Sequence, residues 1–249
     1  MPTTIETLRR ALEVFRVPSS GPQPKDIYKA QHWEMAGAHA FLVNALLSVY
    51  EQAPSVPEEK TIDFVGYALQ WVAAMHHHHE WEETIYYPLF NPKFDTSFIV
   101  AEHESFSSDV NNFEDYLVSC LPAGTKYGFG KMAETREQIE FDGDRTRSLI
   151  DAFAGPLVTH LMQEITYLEP EKIKASGLTE EEVKHIASVS DKHMLSMPIT
   201  TFLTYVVMLT PKSSGFPPAP GFVKSLLVPY AFYWPNRRVM ISCFFAPKK

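Results

Sequence analysis

The 249-residue chain carries a formal net charge of −8, with 45% hydrophobic and 21% charged residues. That is enough apolar material for one large domain, or for one domain with a substantial extension. The acidic balance excludes a general nucleic-acid binder, which needs a basic face to neutralise phosphates, and it disfavours an anionic membrane surface as partner. The longest apolar patch, Phe202 to Leu209, falls far short of the roughly 20 residues of a membrane-spanning helix. The opening MPTTIETLRRALEVFRVPSSG sets Arg9 and Arg10 inside an amphipathic pattern rather than a signal peptide. Two cysteines, Cys120 and Cys243, have no metal-type spacing, and no disulfide is expected in a chain that reads as intracellular. The expectation is a soluble, cytoplasmic protein.

In chain order, a short helix is predicted from Thr4 to about Phe15, with Ile5, Leu8, Leu12 and Phe15 on one face. Val17 to Pro24 reads as a Pro/Gly/Ser-rich linker. Four long helical patterns follow, over about Lys25–Gln52, Pro57–Phe90, Asp95–Leu121 and Asp142–Leu168. The Gly124–Glu140 connection has no assigned structure, and Pro156 is expected either to kink the fourth long helix or to be a tolerated irregularity within it. A later helix opens at Thr179, where Glu182 stands at capping-box spacing. Beyond Met197 the chain is rich in proline and aromatics, with no clear element after Gly221–Leu227. The fold class is therefore all-α: an antiparallel, up-down four-helix bundle over residues 25–170, an N-terminal helix and linker over 1–24, and a helical to irregular extension over 171–249 packed on the bundle.

The four consecutive histidines of AAMHHHHEWEETIYYP diverge by about 100° per residue on a helix. The apolar stripe Phe64, Tyr67, Trp71, Met75, then Ile85 and Leu89, passes through His78 and Glu82. His78 should point inward, His79 could flank it, and His76 and His77 read as solvated or supporting groups. The fourth long helix repeats the arrangement. Its stripe Leu149, Phe153, Leu157 and Leu168 passes through His160 and Glu164, and each H-x-x-x-E has a proline ten residues after its histidine. On the two preceding helices, the stripes pass through His39 and His103. A buried carboxylate is costly unless paired or bound to metal. Four inward histidines and two inward glutamates suit two metal ions: iron bridged by carboxylates and an oxo or hydroxo group, with manganese or zinc as alternatives. His32, one heptad before His39, reads as a supporting or pocket residue. Glu80, Glu83, Glu102 and Glu104 read as solvated acids, of which Glu102 and Glu104 could orient neighbours. His185 and His193 read as surface residues of the later helix.

These residues resemble the hemerythrin-like, HHE cation-binding family over roughly Tyr28 to Pro170. The likeness rests on His39, on His78 and Glu82 before IYYP, on His103 inside EHE, and on His160 and Glu164 before YLEP. It implies a four-helix bundle with a non-haem di-iron centre, in which His39, His78, His103 and His160 are terminal ligands and Glu82 and Glu164 bridge. Oxygen carriers of that family place a second histidine four residues after the one on the third helix, where this chain has Ser107, and use H-x-x-x-x-D where this chain has H-x-x-x-E. The pattern resembles the four-histidine, two-glutamate branch and longer fungal-type members, which implies redox, nitric-oxide or iron-related roles, with fewer protein ligands leaving more open coordination positions. The leading expectation is a protein that binds or activates dioxygen, nitric oxide or peroxide. A di-iron enzyme acting on a small organic metabolite, its pocket shaped by the extension, is the second. A non-catalytic module stabilised by metal is the third. The pattern singles out no catalytic residue, and it leaves the oligomeric state open.

Overall fold

The computed structural model describes residues 2–135 and 137–240; Cys243 and the end of the aromatic tail lie outside them. The chain is mostly helical. Helix α1 covers Thr4–Arg16, α2 Ile27–Gln52, α3 Thr61–Trp81, α4 Ser97–Ser119 and α5 Gly143–Tyr167. Beyond them come α6 (Pro170–Ala175), α7 (Glu180–Leu195), α8 (Ile199–Leu209) and α9 (Tyr233–Met240), the last entered through a π-helical stretch, Val223–Phe232.

The helix starts follow from local chemistry. Thr3 with Glu6 and Thr179 with Glu182 form reciprocal capping boxes. Asp26 and Asp142 each accept two backbone N–H groups at the starts of α2 and α5. α5 runs without interruption through Pro156. The Gly124–Glu140 connection contains a small hairpin, β1 (Lys126–Tyr127) against β2 (Lys131–Met132). Gly128 turns it at φ 52°, and an added Cβ there would lie 2.9 Å from the Cβ of Ala73 on α3. The turn thus requires glycine for its backbone and for its approach to α3.

Four helices carry the core. α2 packs on α3 and α5, and α4 packs on the same two, so the contacts close into a ring. Trp71 stacks on Phe153 at 5.5 Å between ring centres, with Phe113 edge-on at 6.2 Å, and its indole N–H donates to the Leu42 carbonyl at 2.9 Å. α1 lays Leu8, Ala11 and Phe15 against α2 and α5.

The end of α3 departs from the expected register. Glu82–Tyr86 forms one π-helical turn, closed by the Tyr87 N–H on the Glu82 carbonyl, and Pro88 has no N–H with which to continue an α-helix. The extra residue in that turn moves the inward stripe by one position. Tyr86, Tyr87 and Phe90 are buried, while the expected Ile85 and Leu89 are only partly so.

The extension packs on the ring of helices: α7 and α8 against α2, and α9 against α3. Tyr205 of α8 is fully buried and its hydroxyl donates to the Tyr67 carbonyl at 3.2 Å. The Phe216 side chain fills the space where Gly37 of α2 lacks a Cβ, and an added Cβ would sit 2.4 Å from that of Phe216. Gly37→Val is therefore expected to expel Phe216 and to cost roughly 1–3 kcal/mol of unfolding free energy, measured by urea titration with Gly155→Ala, whose Cβ meets nothing within 4 Å, as the control.

Candidate metal centre

His39 and His78 come from the middle of α2 and the end of α3, His103 from the first turns of α4, and His160 and Glu164 from the last turns of α5. Glu82 opens the π turn, its backbone N–H shared between the His78 and His79 carbonyls. Among the described residues two groups have ligand atoms all within 4.8 Å of one another: His39, His78, Glu82 and Glu164, and His79, Glu82, His103 and His160. All six residues expected from the sequence are brought together, and Glu82 belongs to both groups. The seventh is His79. All seven side chains are 0–9% exposed.

The donor atoms stand at the separations expected of ligands that share an ion. His39 Nε2 lies 3.2 Å from His78 Nε2 and 3.1 Å from Glu164 Oε2, and His78 Nε2 lies 3.1 Å from Glu82 Oε1. In the other group His103 Nε2 lies 3.1 Å from His160 Nε2 and 3.5 Å from Glu82 Oε2, and His160 Nε2 lies 3.7 Å from Glu164 Oε2. Two ligands bound to one ion at about 2.0–2.2 Å, at right angles or tetrahedrally, are separated by about 2.8–3.6 Å.

Protons on the far sides of three rings leave His39, His103 and His160 without an Nε2–H to donate. The Nδ1–H of His39 donates to the Leu161 carbonyl at 3.1 Å, that of His103 to Glu83 at 2.7 Å, and that of His160 to Glu102 at 3.1 Å. Carbonyls and carboxylates only accept, so each Nδ1 carries the hydrogen and each Nε2 presents a lone pair. The lone pairs of His103 and His160 therefore face each other, and both carboxylate oxygens of Glu82 and of Glu164 have no hydrogen-bond partner. Acceptors crowded on acceptors in a buried space are costly unless a cation or a proton lies between them, and these groups could hold a metal ion. The donor set, imidazole and carboxylate with no thiolate, fits iron, manganese or zinc.

Titration behaviour agrees with this arrangement. Burial, and after it the neighbouring Glu164 carboxylate, raises the Glu82 carboxyl well above its usual range. Burial, reinforced by surrounding imidazoles, holds His78 and His79 well below theirs. His160 is pushed down to about 2 by burial and then by His103 and His39. His103 is lowered by burial against the opposing pull of Glu83. Lowering of this kind favours the neutral form of His78, His79, His103 and His160, the form that can ligate.

His79 was legible only as a flanking residue. It stands three positions before Glu82 and so shares its face of the helix. Its ring lies flat on His103 at 4.1 Å, and its Nε2 is buried without a hydrogen-bond partner. It supplies a third imidazole to its group, whereas Ser107 of α4 turns its hydroxyl onto the His103 carbonyl. His79→Ala is predicted to deplete metal in its own group while sparing the His39 group. Adding Ser107→His is predicted to restore it, read as metal per chain by elemental analysis.

Glu83 and Glu102 are orienting groups rather than simply solvated acids, a role the sequence suggested for Glu102 but not Glu83. Partners of this kind fix ring orientation and are typically worth about 10–100-fold in metal affinity. His32 stays outside both groups, near the Ile165 carbonyl and Glu169. His77 packs in parallel on His193 at 4.8 Å, with both Nε2 atoms buried, so neither is a solvated surface group.

His76 points away from the centre and bonds Glu114 at 3.0 Å, with Lys131 on the same carboxylate at 2.8 Å. These partners, His76 first, pull Glu114 down to about 2. A lowered acid stabilises the fold above its unfolded value of 4.5, and that contribution is lost as pH falls toward 2. With the cations partly exposed, Glu114→Gln is expected to cost about 1 kcal/mol at pH 7 and nothing near pH 2, measured by denaturant unfolding.

Fold and site together define an all-α protein with buried His/Glu groups that could hold metal. Comparison with curated proteins finds a similarity to the dimeric xanthone biosynthesis cluster protein R11 of Cryptosporiopsis sp. (strain 8999), 25% identical over 219 residues, covering 82% of this chain and 73% of the relative. No protein-family model matches the chain, and no solved structure matches it.

Proposed function

We propose that α2 to α5 form a hemerythrin-type four-helix bundle holding a non-haem dinuclear iron centre that binds or activates dioxygen, nitric oxide or peroxide. The observation that carries this reading is the pair of four-residue groups sharing Glu82, with four orphaned carboxylate oxygens between them. Iron held there supplies Lewis acidity and a reversible store of electrons. The chain's own part is to orient and to exclude water. Phe15 stands edge-on to His39 at 5.5 Å, and Phe106 covers His79 and His160 at 5.3 and 5.5 Å. Leu161, Glu83 and Glu102 keep three Nδ1 protons in place, so three lone pairs stay aimed at the centre. With the seven ligands 0–9% exposed, a ligand of two or three atoms suits the space better than a bulky one.

The test is iron per chain on protein purified without added metal, followed by anaerobic reduction and exposure to dioxygen or nitric oxide under an absorption spectrometer. About two irons per chain with near-ultraviolet bands that change on gas addition support the reading. A folded chain with no metal overturns it.

A second reading makes the protein a metalloenzyme acting on a small organic metabolite. The relative's name, which attaches that protein to a dimeric xanthone biosynthesis cluster, favours it. Oxygen uptake that rises on adding a xanthone-type substrate, with product formed in proportion, distinguishes it from gas binding alone.

A further inference from the structure

The formal charge is divided unevenly along the chain. Residues 1–191 hold fifteen Lys and Arg against thirty Asp and Glu, a net −15, while residues 192–249 hold seven Lys and Arg and no acid, a net +7; together these give the −8 of the whole. Asp191 is the last acidic residue. Within this acid-free stretch the helical run entered at Phe222 exposes Phe222 at 60%, Leu226 at 57% and Tyr230 at 69%, and Trp234, at 59%, continues the line. The spacing of four is a stripe. A π-helix turns less per residue than an α-helix, so over Val223–Phe232 a four-residue spacing stays on one face.

The opposite side of the same run is fixed to the protein. Val228 is fully buried, and Lys224 donates to the Gly215 and Pro217 carbonyls. Thr201 donates to the Asn236 side-chain oxygen, and the Asn236 amide donates to the Thr200 and Phe232 carbonyls. The apolar stripe is therefore held in place and would lose little conformational freedom on docking.

We propose that this C-terminal face docks on an anionic lipid surface, lying in the plane of the interface. A line of Phe, Leu, Tyr and Trp in an acid-free segment of net positive charge is the chemistry of an interfacial helix: rings and alkyl groups enter the headgroup boundary, and the segment's net charge favours an anionic surface, although Lys224 itself is turned to the protein. Among the described residues no helix is long and apolar enough to cross a membrane. The whole-chain charge argues against an anionic surface, but its distribution reverses that for the extension, because the acidic body is repelled and only the extension is drawn in. A second copy meeting through the same stripe would bring two +7 segments together, which opposes self-association.

The test uses the full chain and vesicle co-sedimentation. Neutral phosphatidylcholine vesicles are compared with vesicles containing roughly 30% phosphatidylserine, at low and at roughly 0.5 M salt. The expected result is binding to the anionic vesicles alone, weakened by salt, and weakened roughly tenfold or more in Phe222→Ser/Leu226→Ser/Tyr230→Ser. The three positions are exposed, and unchanged circular dichroism confirms that this variant folds. No binding to anionic vesicles, or equal binding by the variant, overturns the proposal. So does a dimer, seen by light scattering, that the variant dissociates while vesicles bind neither form; that result gives the face to a second copy.

Discussion

Glu82→Ala is expected to remove most of the metal from both groups, whereas His39→Ala removes it chiefly from one. Glu82 is the one side chain common to the two groups, with Oε1 3.1 Å from His78 Nε2 and Oε2 3.5 Å from His103 Nε2. Loss of a shared ligand withdraws negative charge and a donor atom from each ion at once. The affinity change should exceed the roughly 10–100-fold associated with an orienting partner. His76→Ala should leave metal content unchanged, since that ring bonds Glu114 outside the centre. Elemental analysis per folded chain decides. Near-full metal content in both Glu82→Ala and Glu164→Ala would sink the assignment.

The same carboxylates should weaken the metal-free protein. Two fully buried glutamates whose oxygens all lack hydrogen-bond partners carry an uncompensated desolvation cost. Replacing both with leucine, Glu82→Leu/Glu164→Leu, is expected to stabilise the metal-free chain by about 2–4 kcal/mol at pH 8. For a chain of this size that corresponds to about 5–15 °C in Tm. Added metal should then have no stabilising effect on the variant, although it stabilises the parent by mass action.

The pH dependence has a definite sign. Burial raises the Glu82 carboxyl in the fold, so the folded metal-free state binds its proton more tightly than the unfolded chain. Parent stability therefore falls as pH rises from the unfolded value of 4.5 toward the folded one, and the advantage of the leucine variant grows over that window. Metal displaces the same proton, so binding by the parent should release acid and tighten with pH. Thermal unfolding of both metal-free proteins at pH 5 and pH 8 tests this. A variant less stable than the parent at both values would mean that the carboxylates are satisfied without metal.

Spacing alone placed His39, His78, Glu82, His103, His160 and Glu164 on inward faces, because a helix aligns residues three and four apart whatever it packs against. The same periodicity set the spans of the four long helices to within a few residues at most ends, and the Thr179–Glu182 capping box where α7 begins. The largest difference is at the end of α3. There the sequence pattern runs straight to Phe90, whereas the π turn at Glu82–Tyr86 shifts the buried side to Tyr86 and Tyr87. That shift depends on which carbonyls the N–H groups beyond Glu82 reach, which no periodic pattern encodes.

The extension was harder to read for a related reason. Its apolar residues do not form one period, since α8 buries Tyr205 on Tyr67 and Phe41 while Phe216 reaches back to Gly37. Such partners lie well over a hundred residues apart, and their pairing is fixed by shape rather than by spacing.

The sequence by itself determined that this is a helical protein whose core stripes pass through four histidines and two glutamates, because helical periodicity is a local property. Only the tertiary structure decided that His79 joins them, that Glu83 and Glu102 hold the outer ring nitrogens, and that Glu82 stands between the two groups. Those facts depend on how far apart separate helices lie, and that distance is set by packing across the whole core.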